Sequence, residues 1–371
     1  MKRIIQLATI ISLICLGFIT MAAAADVYKI GSTLPLTGDL AMYGLSEQKG
    51  VDLAIDQVNR KGGINGIKLK GIHEDNQGEA GAAVSTVQKL IHIDKVPAIV
   101  GAATSTRTMA ICPIAEANKV VLISPGATAT AISTRCGSYT FRVIASDGYQ
   151  GVTMANLVLN LKYREAGVMY MNNDYGRGLR DVFVSSFEKK GGKVLISTAC
   201  EATGKDFRTE LLKVKASGPK VVALVADPVL AAIIFRQANE LGMKVQWVAS
   251  EATKAPETID LAGDAVEGVI VMAAFVGTTT PEYIEFQKAH KALYGVEPGV
   301  FSDFAYDATM MVISAIKAMG YSGPKIKEGL MKIGRNYRGV TGIKTFDEYG
   351  DVTGEFVPYI VENGKYVKYN K

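Results

Sequence analysis

The sequence predicts an α/β protein with two doubly wound lobes, each built on a parallel sheet that helices cover on both faces. Short segments rich in Val and Ile alternate with amphipathic segments at helical spacing, and strands that alternate with helices form parallel sheets. This alternation pauses over residues 129–142, which we expect to form a longer loop, and again over the polar residues 274–281. Two pauses in a chain of this length indicate two lobes joined where the chain passes between them.

The individual elements follow in regular order along the chain. Apolar, β-branched runs predict strands over residues 27–34, 68–72, 96–100, 120–124, 167–171, 193–197, 221–226 and 245–249. Apolar residues at helical spacing predict helices over residues 45–60, 80–93, 104–118, 178–190, 207–216 and 230–241.

The N-terminus has the organisation of a secretory signal peptide. Lys2 and Arg3 precede an apolar run over residues 4–21, and four alanines follow it. A positive region, an apolar region and small residues in that order predict cleavage after Ala25 and export to the periplasm. A membrane anchor is the weaker interpretation, since the run is at the short end for a span. A lipid-modified Cys15 would cut the apolar run in half, so we set it aside.

Composition bounds the partners of the exported chain. Without residues 1–25 the formal charge falls from +5 to +3, and Lys and Arg form no cluster. So mild a charge argues against a nucleic-acid partner. The remaining 346 residues suffice for two domains with their own cores, and we expect a monomer.

Three cysteines remain after removal of the signal peptide: Cys112, Cys136 and Cys200. An odd number in an oxidising compartment indicates one disulfide and one free thiol. We expect the pair Cys112–Cys136. The alternative is three unpaired, partly buried thiols.

No set of residues for catalysis stands out. His92 lies near a predicted helix end and His290 on a polar helix face, so we expect both at the surface. The sequence has no nucleophile elbow and no Cys/His cluster at metal spacing. The segment 175–181 resembles a dinucleotide loop, but Asp181 replaces its third glycine. We therefore expect a binding protein without metal or cofactor, and not an enzyme.

Polar residues follow three of the predicted strands. Thr104 and Ser105 open a helix, where free N–H groups and a hydroxyl suit a carboxylate. Gly126 and Thr128 follow the next strand and offer a carbonyl and a hydroxyl. Glu251 follows the strand 245–249 and could pair with an ammonium group. Ligands of open α/β sheets bind at this edge, although a cap, a turn residue and a solvated acid are the ordinary alternatives.

Several segments resemble the branched-chain amino-acid-binding proteins of ABC transporters. The resemblance runs in order over nearly the whole mature chain and is carried by residues 29–38, 43–44, 59–66, 123–128, 141–142, 174–176 and 261–268. It implies a type I periplasmic-binding fold, with two lobes joined by three crossovers and the ligand in the cleft. It also implies delivery of the ligand to a membrane permease.

The resemblance implies roles at the charged end of the ligand. Ser105 is similar to the serine that holds the α-carboxylate, and Thr128 to the threonine that contacts both charged groups. Gly126 matches the carbonyl that accepts from the ammonium group, and Glu251 matches the acid that pairs with it. Tyr175 matches the tyrosine of the second lobe that closes on this end.

The resemblance also implies walls for the ligand side chain, formed by Tyr43 and Phe301. Asp227 stands where leucine-type binders carry a tyrosine-rich stretch, so we expect it to face the cleft and to leave room for a more polar side chain. The implied ligand is an aliphatic amino acid. Open alternatives are an amide, urea or an aromatic acid, or a ligand-sensing partner of a receptor.

The resemblance and the two pauses together predict the lobe boundaries. We expect residues 26–145 and 276–349 in the N-terminal lobe, and residues 146–275 and 350–371 in the C-terminal lobe.

Overall fold

The computed structural model describes residues 27–274 and 278–370. The predicted signal peptide, residues 1–25, lies outside the described residues. Two large sheets and one small hairpin organise the described chain. None of the described helices is both long and apolar enough to cross a membrane.

The first sheet is parallel throughout and has the strand order β2-β1-β3-β4-β5. Its strands are β1 Val27–Leu34, β2 Lys68–Asp75, β3 Ala98–Gly101, β4 Val121–Ser124 and β5 Thr140–Arg142. The helices along this part of the chain are α1 Ala41–Arg60, α2 Ala80–His92, α3 Ser105–Ala117 and α4 Ala131–Arg135. β3 and β4 are fully buried, as expected for strands covered on both faces.

The second sheet has the strand order β14-β13-β10-β9-β8-β6-β7. Its parallel strands are β6 Glu165–Met171, β7 Lys193–Cys200, β8 Val221–Val225, β9 Gln246–Ala249 and β10 Ile270–Ala274. In chain order, one helix precedes β6 and four more lie between it and β10: α5 Asp147–Asn160, α6 Asp174–Lys189, α7 Arg208–Ser217, α8 Pro228–Glu240 and α9 Pro256–Ala262. Short 3₁₀ turns occupy Glu251–Thr253 and Gly263–Val266.

The last part of the chain completes both units. Helices α10 Pro281–Tyr294, α11 Ser302–Met319 and α12 Gly323–Ile333 precede the hairpin β11 Tyr337–Gly339 and β12 Gly342–Lys344. Val312 of α11 and Leu330 of α12 join the core of the first sheet with Ile30 and Val100. Strands β13 Phe356–Glu362 and β14 Lys365–Lys368 then extend the second sheet.

The fold class is as predicted, with one correction at the edge of the second sheet. β13 pairs antiparallel with β10, and β14 pairs antiparallel with β13. The two strands form a tight hairpin in which Asn363 and Gly364 both have positive φ. Such a turn joins antiparallel strands only, so the sheet is mixed rather than wholly parallel.

The segment 129–142 was predicted as a loop, and that prediction is wrong in part. It contains the short helix α4 and the edge strand β5. β5 has the sequence Thr-Phe-Arg, so it lacks the apolar run that identified the other strands. Arg142 at its end is fully buried and pairs with Asp351, with 2.6 Å between the guanidinium Nε and the carboxylate Oδ1. This pair fastens the end of the first sheet to the segment that leads into β13.

The predicted disulfide Cys112–Cys136 is confirmed, and it ties α3 to the residue that ends α4. Cys200 is a buried free thiol at the end of β7.

The prediction of a surface position is wrong for His290. His92 is exposed, but His290 is fully buried between the rings of Phe286 and Tyr294. Its Nδ1 lies 3.0 Å from the Val296 carbonyl oxygen, and burial lowers the pKa of the ring. Both rings belong to α10 itself, and α10 packs against α1 here, where the Tyr294 hydroxyl donates to the Lys49 carbonyl oxygen at 3.0 Å. A helical pattern alone cannot reveal such a contact.

The strands divide between the sheets in the order expected for two lobes. The chain leaves the first sheet after β5 and reaches β6 through α5, and it leaves the second sheet after β10. The exact boundaries at 145/146, 275/276 and 349/350 stay a prediction, and the second of them lies among residues 275–277, outside the described residues.

Candidate ligand-binding cleft

A cleft opens between the carboxyl ends of the strands of the two large sheets. Its cavity has a volume of about 60 Å³. The residues that line it include eight of the nine predicted site residues: Tyr43, Thr104, Ser105, Gly126, Tyr175, Asp227, Glu251 and Phe301. The topology explains why these residues lie close together, because the carboxyl ends of parallel strands lie at one edge of a sheet.

The N-terminus of α3 forms one wall. Thr104 occupies the N-cap position, but its side chain makes no capping hydrogen bond, so N–H groups of the first turn stay free of a side-chain cap. The Ser105 hydroxyl is buried and accepts from the Ala129 N–H at 3.1 Å. Its own proton therefore remains available to donate. A helix N-terminus with a free O–H donor suits an anionic group.

The turn after β4 forms the adjacent wall. A Cβ on Gly126 would lie 2.5 Å from the Ala103 carbonyl oxygen, so only glycine fits this close approach. Thr128 does not line the cavity, in contrast to the other predicted residues. Its hydroxyl is buried and has no hydrogen-bond partner among the described residues. A buried hydroxyl without a partner is unfavourable, so this atom is available to a ligand or an ordered water.

Glu251 lies on the opposite side, directly after β9. Its side chain is buried, and Tyr175 donates to its Oε2 at 3.1 Å. The Glu251 N–H donates to the Gln150 Oε1 at 2.8 Å. Burial raises the pKa of Glu251 to about 7, against the lowering effect of the nearby Gln150 side chain and the Tyr175 hydroxyl.

Asp147 is a buried acid beside Glu251 that the predicted set omits. Gln150 donates to its Oδ1 at 2.9 Å, while Oδ2 has no partner among the described residues. Burial first, and then the charge of Glu251, raise the pKa of Asp147 well above its ordinary value. The Thr128 side chain lies close enough to oppose this shift, though without a well-aligned hydrogen bond. The local sequence, Ser146-Asp147-Gly148, indicates the start of a helix but does not show that this acid is buried.

The two acids receive little compensating charge. Arg142 lies near Asp147 and lowers its pKa, but its guanidinium is held by both oxygens of Asp351 at 2.6 Å. Neither Glu251 nor Asp147 forms an ion pair with a Lys or Arg of the described chain. Adjacent buried carboxyls of this kind favour a cation that enters from outside.

Tyr43 and Phe301 form an aromatic wall, with ring centroids 5.5 Å apart. The Tyr43 hydroxyl donates to the Ala252 carbonyl oxygen at 3.1 Å, which links α1 to the segment after β9. The Asp174 N–H also lies 3.3 Å from the Thr106 hydroxyl. These contacts join the two sides of the cleft, so the structure is in a closed arrangement.

A comparison with protein-family models identifies the chain. The model described as "Periplasmic binding protein" matches residues 27–365. The chain belongs to the periplasmic binding protein family.

Relatives of this periplasmic binding protein cover nearly its full length. A Leucine-, isoleucine-, valine-, threonine-, and alanine-binding protein of Pseudomonas aeruginosa is 30% identical, over 91% of this chain and 90% of its own. A leucine-binding protein of Thermotoga maritima superposes with a TM-score of 0.86 at 30% identity, over 92% and 97% of the two chains. A branched-chain amino-acid-binding protein of Streptococcus pneumoniae, solved with isoleucine, gives 0.85 at 29% identity, over 92% and 98%.

Asp227 of this binding protein faces the cleft, but one of its oxygens is already engaged. Its Oδ1 accepts from the Leu230 N–H at 2.8 Å and so caps α8. Burial raises the pKa of Asp227.

Arg107, which the sequence did not single out, also lines the cleft and donates to the Gly78 carbonyl oxygen. Burial lowers the pKa of Arg107, while the charges of Glu79 and Asp227 oppose that shift. Arg107 on α3 and Asp227 before α8 lie on opposite sides of the cleft and carry opposite charges when ionised.

Proposed function

We propose that this protein is the extracytoplasmic solute-binding component of an ABC importer, and that its ligand is an aliphatic α-amino acid. The N-terminus of α3 with Ser105 would hold the α-carboxylate, together with Thr128. The Gly126 carbonyl and Glu251 would hold the ammonium group, with Tyr175 closing on this end. The names of the relatives, which specify leucine, isoleucine and valine among their ligands, support this choice.

One observation carries the proposal. Glu251 and Asp147 are adjacent buried carboxyls without an ion-pair partner in the described chain, and Glu251 lines the cleft together with Thr104 and Ser105 at the free N-terminus of α3. A zwitterion supplies a cation to the first group and an anion to the second, and fixed dipoles and charges then replace the water it loses. Amides, urea and aromatic acids lack the full positive charge that this pair of acids favours.

The transport role follows from the closed arrangement and from the family. Ligand-driven closure of two lobes is a hinge motion, and the closed form would be the one that a membrane permease recognises. Export through a cleaved signal peptide, residues 1–25, would place the protein in the periplasm, where we expect it to act as a monomer and without catalysis. A receptor-linked sensor would bind the same ligand and differ only in its docking partner.

A thermal-shift screen of the mature protein tests the ligand class. We expect aliphatic amino acids to raise the melting temperature, since a ligand that binds only the folded state stabilises it by mass action. Simple amides, urea and benzoate form the comparison set. A shift with benzoate or urea and none with any amino acid would contradict the proposal.

A further inference from the structure

Glu47 is a buried acid at the aromatic end of the cleft that the proposed contacts with the ligand's charged groups leave unused. It lies on α1, one helical turn after Tyr43, and is 0% exposed. Both of its carboxyl oxygens lack a hydrogen-bond partner among the described residues. An unpaired buried carboxyl costs free energy in the folded protein, so a partner from outside the described chain is expected.

Geometry places this carboxyl at the wall that would face the ligand side chain. The position that a Cβ of Gly126 would occupy is 3.2 Å from the Glu47 Oε1 and 3.2 Å from the Phe301 Cδ2. Gly126, Phe301 and Tyr43 all line the cleft. Glu47 therefore lies directly behind the lining, where the absent side chain of Gly126 leaves its carboxyl close to the cavity.

The chemistry of Glu47 is that of a neutral acid. Burial alone raises its pKa well above the ordinary value, and no ion pair with a Lys or Arg is found for it in the described chain. A protonated carboxyl offers one O–H donor together with acceptor oxygens. A hydroxyl, which also donates and accepts, is the small group that best matches it.

We propose that Glu47 is a specificity-determining residue, and that the site prefers an amino acid whose side chain carries a hydroxyl over the isosteric hydrocarbon. Threonine and valine are the matched pair of ligands, because they differ only in a hydroxyl against a methyl group. A hydrocarbon at this place would leave the buried carboxyl unpaired, whereas a hydroxyl would satisfy it. The inference rests on the proposed binding of amino acids and specifies the side chain that the site takes.

Calorimetry with threonine and valine tests the inference on the wild-type protein first. We expect threonine to bind about tenfold more tightly than valine or better, the scale of discrimination that an unpaired buried polar group produces. Affinities that agree within about twofold, or a preference for valine, would overturn it. If the wild-type protein binds neither of these ligands nor leucine, the proposed function fails as well. Binding of both without selectivity removes only the role of Glu47.

Two variants then assign the preference to the carboxyl. Glu47→Gln keeps a donor and an acceptor, so the ratio of threonine to valine affinity should stay within about threefold of wild type. Glu47→Met removes both and should bring the ratio close to one. Ser46→Ala is the matched control, since Ser46 is also buried and unpartnered on the same helix, at 8% exposure, but faces Gly299. If Glu47 merely held a structural water, Glu47→Met would lower the melting temperature and leave the ratio unchanged, which would contradict the assignment.

Discussion

The hydroxyl of Tyr175 lies 3.1 Å from the Glu251 Oε2 and donates to it inside the cleft. The hydrogen bond orients the carboxylate and favours its ionised form, while burial opposes ionisation and raises the pKa to about 7. Glu251 is therefore held near the balance between its neutral and charged states. An arriving ammonium group would shift that balance toward the charged state.

Removal of Glu251 tests its role as the ammonium partner. In Glu251→Ala the ligand cation would be buried without its partner, and truncation of one member of a buried charge pair costs about 2–5 kcal/mol. At about 1.4 kcal/mol per decade, the affinity for leucine should fall by about 30-fold to several thousand-fold. Calorimetry on both proteins measures this loss, and circular dichroism checks the fold.

A matched control is Glu362→Ala, at an exposed position on β13. Exposed charges contribute less than about 1 kcal/mol, so this variant should bind as the wild type does. A folded Glu251→Ala protein with nearly unchanged affinity would transfer the role to Asp147 or Asp227.

The affinity should depend on pH through Glu251. Because the pKa of Glu251 is about 7 in the ligand-free protein, the ionised fraction rises between about pH 5.5 and 8. Binding of an ammonium group then becomes tighter over this range and releases a proton. Calorimetry at pH 6.5 in two buffers of different ionisation enthalpy should give different apparent enthalpies. Identical enthalpies would show that no proton leaves. In Glu251→Gln the difference in apparent enthalpy between the two buffers should disappear.

The stability of the ligand-free protein should show the opposite trend. The folded-state pKa of Glu251, about 7, lies above the ordinary 4.5, so the folded state binds more protons between these values. The contribution of this group to stability is therefore fully present below about pH 4.5 and is lost as the pH rises through 7. Urea unfolding of wild type and Glu251→Gln at pH 5 and 8 measures the difference. A loss of unfolding free energy from pH 5 to pH 8 that is steeper in the variant than in the wild type would contradict this pH dependence.

Arg142 and Asp351 form a structural pair that can be tested separately from binding. Asp351→Ala would leave the fully buried guanidinium without its anion, which costs about 3–5 kcal/mol. The midpoint of urea unfolding should fall accordingly. Glu355→Ala, at an exposed site on the same segment, should leave the midpoint almost unchanged. Equal midpoints in the two variants would show that the pair contributes little.

The sequence specified the regular elements well and the polar interior poorly. β1 spans the predicted residues 27–34, because an apolar, β-branched run bounded by turn residues has few alternative structures. β5 was missed because its three residues gain their burial from neighbours distant in sequence. His290 was misplaced for the same reason, since the elements that bury it are specified elsewhere in the chain.

The candidate site shows the same division. Glu251 could be predicted because it directly follows an apolar strand, where the topology forces it to the sheet edge. Asp147 and Glu47 lie on helices, and no local pattern distinguishes a buried acid from a solvated one. Their burial depends on tertiary packing, which only the structure reveals.

The central claim is that the cleft recognises both ends of a zwitterion. Calorimetry of the mature protein with leucine, with its α-keto acid and with the corresponding amine tests this most directly. Each analogue lacks one charged group and leaves buried polar atoms of the site unpaired, so each should bind at least about 100-fold more weakly than leucine. Equal affinity for leucine and its keto acid would show that Glu251 and Asp147 do not hold an ammonium group, and would contradict the account.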